Sequence, residues 1–121
     1  MSRVEELNQV LRALQSGTPD IEASALISED GLMIASALPQ HIEEIRVAGM
    51  SSTLISLGTR ASHELERGEL QQILIRGENG YGVMVKAARG TMLLVLAAPT
   101  AKLGLIFLDM ARAVSAIAKV L

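Results

Sequence analysis

The sequence predicts an α+β domain in which helices lie on the faces of a five-stranded antiparallel sheet. Three segments repeat apolar residues every three or four positions, which is typical of helices, and the segments between them are short and aliphatic. Tight-turn dipeptides stand at Asp30-Gly31, Asn79-Gly80 and Arg89-Gly90. Because tight turns make neighbouring strands antiparallel, the order α-β-β-α-β-β-β-α does not indicate a βαβ-wound nucleotide fold.

One helix and one hairpin are predicted in the first third of the chain. The helix covers residues 2–15, where Ser2 can cap the first turn and Glu5 can complete a capping box. Two strands follow at 22–28 and 32–37. A long helix is predicted after this hairpin.

That long helix is predicted over residues 41–67. Three strands then form a meander at 70–76, 81–88 and 91–98, and a last helix covers 101–120. All elements are expected to form a single domain over the 121 residues.

Composition excludes several function classes. The net charge is −2, so no basic field attracts nucleic acid, and Tyr81 and Phe107 are the only aromatic residues that could stack on bases. The chain has no cysteine for disulfides or thiolate chemistry. Charges interrupt the N-terminal segment and no apolar run is long enough to span a bilayer, so a cytoplasmic protein without membrane insertion is expected.

The long helix has two faces of different composition. Its larger apolar residues are predicted to cover the sheet: Val47, Met50, Leu54, Leu57, Ala61 and Leu65. The opposite face carries mostly small or hydroxyl-bearing residues: Ala48, Gly49, Ser52, Ser56, Thr59 and His63. Small residues allow a second backbone to approach closely. This face is therefore predicted to pack on the same helix of a twin subunit, or alternatively on one of the chain's own terminal helices.

The predicted strand at 70–76 begins the meander and is a candidate edge of the sheet. Its only charged residue is Arg76, whereas exposed edges are usually blunted by charge, proline or a bulge. Pairing with a second copy would extend the sheet across a dimer. The predicted dimer interface combines this edge with the small face of the helix: Ala48, Gly49, Ser52, Ser56, Thr59, Gln71, Ile73 and Ile75.

Motifs for catalysis or cofactor binding are absent from the sequence. The stretch 77–90 carries four glycines, but the chain has no Gly-Lys pair of a phosphate-binding loop, and the glycine spacing does not fit a dinucleotide site. His41 and His63 are the only histidines, and no metal-ligand spacing surrounds them. The sequence therefore predicts a protein that is not an enzyme and that holds neither cofactor nor metal.

Three stretches carry a family resemblance: ISEDGLMIASAL at 27–38, LERGELQQILIRGENGYGVMVKAARGTMLLVLAA at 65–98 and AKLGLIFLDMARAV at 101–114. Together they resemble the Roadblock (dynein light-chain-like) family, and the short chain is similar to its stand-alone prokaryotic members. The resemblance implies an antiparallel five-stranded sheet. It also implies a homodimer, or a heterodimer with a paralogue, formed through the second helix and the third strand.

The resemblance further implies a dimeric regulatory or scaffold protein that binds a Ras-like small GTPase and modulates its nucleotide cycle. Two alternatives stay open, namely a non-catalytic structural adaptor of a dynein-type or other complex and a small-ligand sensor. The predicted partner contacts are the polar outer positions of the long helix: Arg46, Ser52, Thr53, Ser56, Arg60 and His63.

Overall fold

The computed structural model describes residues 1–121 as three helices and one sheet of five strands. Its elements in chain order are α1 (Arg3–Gly17), β1 (Ile21–Ser28), β2 (Met33–Ala37), α2 (Glu44–Glu64), β3 (Gln72–Gly77), β4 (Gly80–Ala87), β5 (Thr91–Ala97) and α3 (Leu103–Val120). All neighbouring strands are antiparallel, and their order across the sheet is β2-β1-β5-β4-β3. The predicted fold class and element order are confirmed.

The first helix begins with the predicted Ser2 cap, but Glu5 bonds the Ser2 hydroxyl and not the Ser2 N–H that a full capping box uses. The Glu5 N–H donates to Ser2 Oγ over 3.2 Å, and the Ser2 hydroxyl donates to Glu5 Oε1 over 3.0 Å. The first bond satisfies the Glu5 N–H, which lies in the first turn and has no carbonyl acceptor within the helix. The buried residues of the helix are Leu7, Leu11 and Leu14, whose spacing of four and three places them on one side.

The two terminal helices pack side by side on one face of the sheet. Leu7 and Leu11 of α1 and Ile106 and Met110 of α3 are buried in one core with side chains of β1, β4 and β5. At the end of α1 the Thr18 hydroxyl donates to the Asp109 carboxylate of α3. The other face of the sheet is therefore left to α2.

The helix α2 is shorter than the predicted 41–67 at both ends. It starts at Glu44 because the segment before it forms a turn, closed by the Ile42 N–H donating to the Pro39 carbonyl over 3.1 Å. It ends at Glu64 because Glu66 adopts a left-handed conformation with φ of 56°. The Arg67 N–H then returns to the Ser62 carbonyl over 2.7 Å, which closes the last turn.

The two edges of the sheet differ in regularity. At the first edge β2 has five residues, and its register with β1 shifts so that Ile34 faces no residue of β1. At the second edge β3 pairs with β4 without interruption, from Gln72 opposite Val85 to Gly77 opposite Gly80. A short, bulged edge resists pairing with foreign strands, whereas a regular one permits it. The predicted edge position of β3 is confirmed.

The β3–β4 turn requires glycine at position 80. Gly80 has a φ of 136°, which side-chain-bearing residues rarely adopt, and a Cβ there would collide with the carbonyl oxygen of Ala97. This glycine lets the turn lie directly against the end of β5.

Replacing Gly80 with alanine is expected to lower the free energy of unfolding by at least about 2 kcal/mol, since both the backbone conformation and the contact with Ala97 resist a Cβ. Gly104→Ala is the matched control, because a Cβ in that first turn of α3 meets no atom within 4 Å. The control is expected to gain up to about 1 kcal/mol from helix propensity. Urea denaturation followed by circular dichroism measures both values, and equal stabilities for the two variants would contradict the role of Gly80.

Candidate interaction surface

The sheet-facing side of α2 agrees only in part with the sequence prediction: Val47 and Leu54 pack against the core as predicted, but Ala48 does so too. Ala48 is 1% exposed, and Ser51 and Ile55 are the other buried positions of this helix. They lie over large side chains of the sheet, among them Met84 and Met92. The helix backbone comes close to β1 and β2, which a small buried residue such as Ala48 permits. The predicted place of Ala48 on the outer face is therefore wrong.

Several larger apolar residues point away from the sheet, whereas Val47 and Leu54 are half-buried against it. Met50 is 55% exposed and Leu57 is 60% exposed, so their predicted place on the sheet-facing side is wrong, as it is for the exposed Leu65. Residues 50, 54, 57 and 61 are spaced four, three and four positions apart and therefore lie on one side of the helix. We call Met50, Leu54, Leu57 and Ala61 the apolar stripe; only Leu54 is half-buried.

The glycines of α2 have different surroundings. A Cβ at Gly58 would lie 3.0 Å from Ile73 Cδ1 and 3.4 Å from Leu70 Cδ2, so this glycine admits the chain's own β3 and the segment before it. A Cβ at Gly49 would meet no atom within 4 Å. The terminal helices pack on the far face of the sheet, so the alternative that one of them covers the small face of α2 is wrong.

A groove joins the apolar stripe to the edge strand β3. It has a volume of about 540 Å³ and lies between the first half of α2 and the end of the sheet formed by β3, β4 and β5. Its walls include Met50 and Leu54 of the stripe, Ile75 of β3, and Leu96 of β5. Ile75 is itself 46% exposed. The result is one continuous apolar surface that runs from the helix to the open edge of the sheet.

The remaining residues of the predicted dimer interface occupy several environments. Gly49, Ser56 and Gln71 are exposed, whereas Thr59 is half-buried. Ile73 is half-buried and packs beneath α2 beside Gly58. The prediction therefore included the β3 edge but not Met50 and Leu57, the most exposed large residues of the stripe. The signal that could have found these two residues is a helical wheel with Ala48, Ser51 and Ile55 on the buried side, because it leaves them outside that side.

The predicted partner contacts lie mostly on the exposed side of α2. Arg46 forms an ion pair with Glu43 over 3.5 Å, and His63 Nε2 lies 3.9 Å from Glu69 Oε1. Arg60 is exposed and makes no ion pair within the chain. Thr53 and Ser56 are also exposed.

Ser52 differs from the other predicted partner contacts because it is half-buried. Its hydroxyl donates to the carbonyl oxygen of Glu29 over 2.6 Å. This bond ties α2 to the β1–β2 turn, so Ser52 contributes to the structure beneath the partner contacts.

A second groove, of about 590 Å³, lies between α1 and α3 on the opposite face. Val10, Leu14 and Val120 form part of its apolar wall, and Asp109 and Arg112 pair with each other at its side over 3.4 Å. No aromatic residue lines it. Small-molecule sites usually combine enclosure with aromatic walls, so this open groove lends no weight to the ligand-sensor alternative.

Groups of three or more histidine, cysteine or acidic side chains that could hold a metal ion do not occur in the structure. None of its three helices is both long and apolar enough to cross a bilayer. The surface features that stand out are thus the apolar stripe, the groove and the β3 edge.

A family model for the Roadblock/LC7 domain matches residues 7–97, which contain seven of the eight helices and strands in whole or part. The chain belongs to the Roadblock/LC7 family. Two uncharacterised proteins of Methanocaldococcus jannaschii are each 37% identical to it over 107 residues, covering 88% of this chain and 92% of theirs.

Solved structures agree with this Roadblock/LC7 assignment. MglB of Myxococcus xanthus superimposes with a TM-score of 0.90 at 18% identity, covering 99% of this chain and 90% of that one. A Roadblock/LC7 domain of Streptomyces avermitilis has a TM-score of 0.84 at 25% identity, covering 91% of this chain and 92% of that one. The first likeness concerns the fold alone, because its sequence identity is low.

Enlarging Ala48 in this Roadblock/LC7 domain is expected to separate the helix from the sheet. Ala48→Leu should lower the free energy of unfolding by about 2 kcal/mol, because Ala48 is 1% exposed and belongs to the packed core between α2 and the sheet. Ala111→Leu is the matched control on the exposed side of α3 and should change stability by less than about 0.5 kcal/mol. Thermal or urea unfolding measures both; a tolerated leucine at position 48 would contradict the packing described for α2.

Proposed function

We propose that this protein is a dimeric regulator or scaffold that binds a Ras-like small GTPase and modulates its nucleotide cycle. Membership of the Roadblock/LC7 family supports the partner class. The observation that carries the dimer is the continuous apolar surface formed by the apolar stripe, the groove and the β3 edge.

A second copy of the chain is the occupant that this surface fits. The stripe offers aliphatic side chains, and β3 offers a regular row of unpaired backbone groups with only Arg76 as a charge. An exposed apolar patch next to an open strand edge is the kind of surface that another chain covers. Two-fold pairing would satisfy both parts at once, since β3 would meet β3 while the stripe meets its own copy.

Dimerisation places two copies of α2 next to each other and so creates one composite surface. Arg46, Thr53 and Arg60 lie on the exposed side of α2, beside the stripe rather than within it. They would remain available after the stripes had paired. The partner then contacts polar positions from both subunits, which makes binding depend on the dimer.

Modulation of the nucleotide cycle follows from unequal affinity for two states. The switch loops of a small GTPase change order when the γ-phosphate leaves. A protein that binds one form more tightly shifts the population toward that form, and a tenfold preference corresponds to about 1.4 kcal/mol. This mode of action needs contact only, which fits a surface without catalytic groups.

A charge in the apolar stripe is expected to produce monomers. Leu57→Arg places a guanidinium in the centre of the proposed seam, where its desolvation opposes association. Size-exclusion chromatography with light scattering should give about twice the chain mass for the wild type and one chain mass for this variant.

Leu108→Arg is the control for the mass measurement, because Leu108 is an exposed leucine of α3 on the opposite face. It should stay dimeric. A dimeric Leu57→Arg variant, or a monomeric wild type at micromolar concentration, would contradict the proposed seam.

Binding to a GTPase is tested with the Ras-like GTPases encoded in the genome of the source organism. Each is purified, loaded with GDP or a non-hydrolysable GTP analogue, and titrated against the wild type by calorimetry. At least one is expected to bind with an affinity that differs at least about tenfold between the two nucleotide forms. Arg60→Glu should weaken that binding, whereas Arg12→Glu on exposed α1 should not.

The binding experiment also separates the alternatives. Equal affinity for both nucleotide forms would favour the structural adaptor, in which the partner's state does not matter. If the protein binds none of the GTPases in either nucleotide form, the proposed partner class is wrong. Dimerisation is measured independently, so the proposed seam can survive that result.

A further inference from the structure

The edge strand β3 has the same chemical character when it is read from either end. Leu74 is flanked by Ile73 and Ile75, and these are flanked by the polar side chains of Gln72 and Arg76. All of these residues except Ile73 are exposed, and Arg76 makes no ion pair within the chain. A two-fold contact sets a segment against its own reverse, so a segment with this symmetry can match each residue with one of its own kind.

The free backbone groups of β3 belong to alternate residues. The two-residue turn between β3 and β4 makes Gly77 and Gly80 a hydrogen-bonded pair of the hairpin. Bonded and non-bonded pairs alternate along antiparallel strands, so Gln72, Leu74 and Arg76 direct their N–H and C=O groups away from β4. A strand that adds to this edge must therefore bond to these three residues.

The side chains of β3 restrict where a two-fold axis can pass. Ile73 packs in the core beneath α2 and Ile75 lines the groove, so Leu74 points to the opposite face of the sheet. Residues that stand opposite each other in an antiparallel pair point to the same face. In the proposed dimer both copies of α2 also lie on one face. The axis must then pass through a residue of β3 and not between two residues.

Three residues are candidates for the axis, and they give different matches. With Leu74 on the axis, Ile73 faces Ile75 of the second copy, and Gln72 faces Arg76. With Ile75 there, Leu74 would face the guanidinium of Arg76; with Ile73 there, Leu74 would face the amide of Gln72. Only the first arrangement pairs every free backbone group of β3 with β3, because each of the others sets one polar residue opposite a position outside the second strand.

We propose that the partner across β3 is a second copy of this chain, joined in the register that places Leu74 on the two-fold axis. This inference rests on the proposed function, in its dimer part only. Leu74 pairs with its own copy, and the guanidinium of each Arg76 donates to the side-chain oxygen of Gln72 in the other subunit. A paralogue would need the complementary residues at the same positions, whereas this chain already supplies them.

Single cysteines report the register, because the chain contains none of its own. On the axis, Leu74→Cys brings two Cα atoms to about 5.5 Å, which is within the range of a disulfide. The matched control is Ile75→Cys, because Ile75 is 46% exposed and Leu74 is 44% exposed. Its two copies stand diagonally at about 7–8 Å, too far for an unstrained bridge. With oxidised glutathione, Leu74→Cys should form linked dimers at least about tenfold faster on non-reducing electrophoresis.

Charge at position 72 tests the second contact of this register. Gln72→Glu sets a carboxylate opposite Arg76 of the other copy, and symmetry repeats that pair, so the Kd of the dimer should fall at least about threefold. Gln72→Lys sets like charges there, and Kd should rise by a similar factor. Gln71→Glu and Gln71→Lys are the controls and should leave Kd unchanged, since position 71 faces the uncharged Gly77 in this register. Analytical ultracentrifugation measures Kd, and high salt should reduce the response at position 72.

Several results would overturn the inference. Faster cross-linking of Ile75→Cys would place the axis elsewhere, and equal rates for the two cysteines would indicate random collision. Equal effects of charge at positions 71 and 72 would remove the contact with Arg76, and this test decides alone if Leu74→Cys does not fold. A monomeric wild type refutes the proposed dimer and the register together, whereas a dimeric wild type whose variants fail these tests refutes the register only. GTPase binding is measured separately and is not affected by either result.

Discussion

The close approach of α2 to the sheet is the contact on which the surface chemistry of this protein depends. The backbone of α2 comes close to β1 and β2, and its buried side is narrow, with Ala48, Ser51 and Ile55 as its buried residues. The other large apolar residues of α2 therefore lie outside its buried side. Its exposed leucines and Met50 are as hydrophobic as core residues, and they are available to a second chain.

The division of helices between the two faces of the sheet strengthens this effect. The pair formed by α1 and α3 gives one face a large core of aliphatic side chains. The single helix α2 cannot cover the other face completely, and the groove beside Ile75 remains open. If the protein dimerises as proposed, association uses the α2 face and the β3 edge, whereas the larger core lies on the face covered by α1 and α3.

Much of this architecture could be predicted from local sequence signals. Turn dipeptides gave the antiparallel order because their backbone requirements are local, and the Ser2–Glu5 cap follows from hydrogen-bonding geometry within one turn. The facing of α2 could not be predicted in the same way. Its outer and inner sides differ little in hydrophobicity, and which side suits the sheet depends on Met84 and Met92, distant in sequence.

The irregular β2 edge determines how far assembly can proceed. If two copies join through β3, each outer end of the combined sheet is a β2 strand. The unmatched Ile34 breaks the repeat of backbone groups that a further strand would have to follow. The β3 edge of the sheet can be continued by another strand, whereas the β2 edge cannot. Association through β3 would therefore stop at a closed pair and would not continue into a fibre.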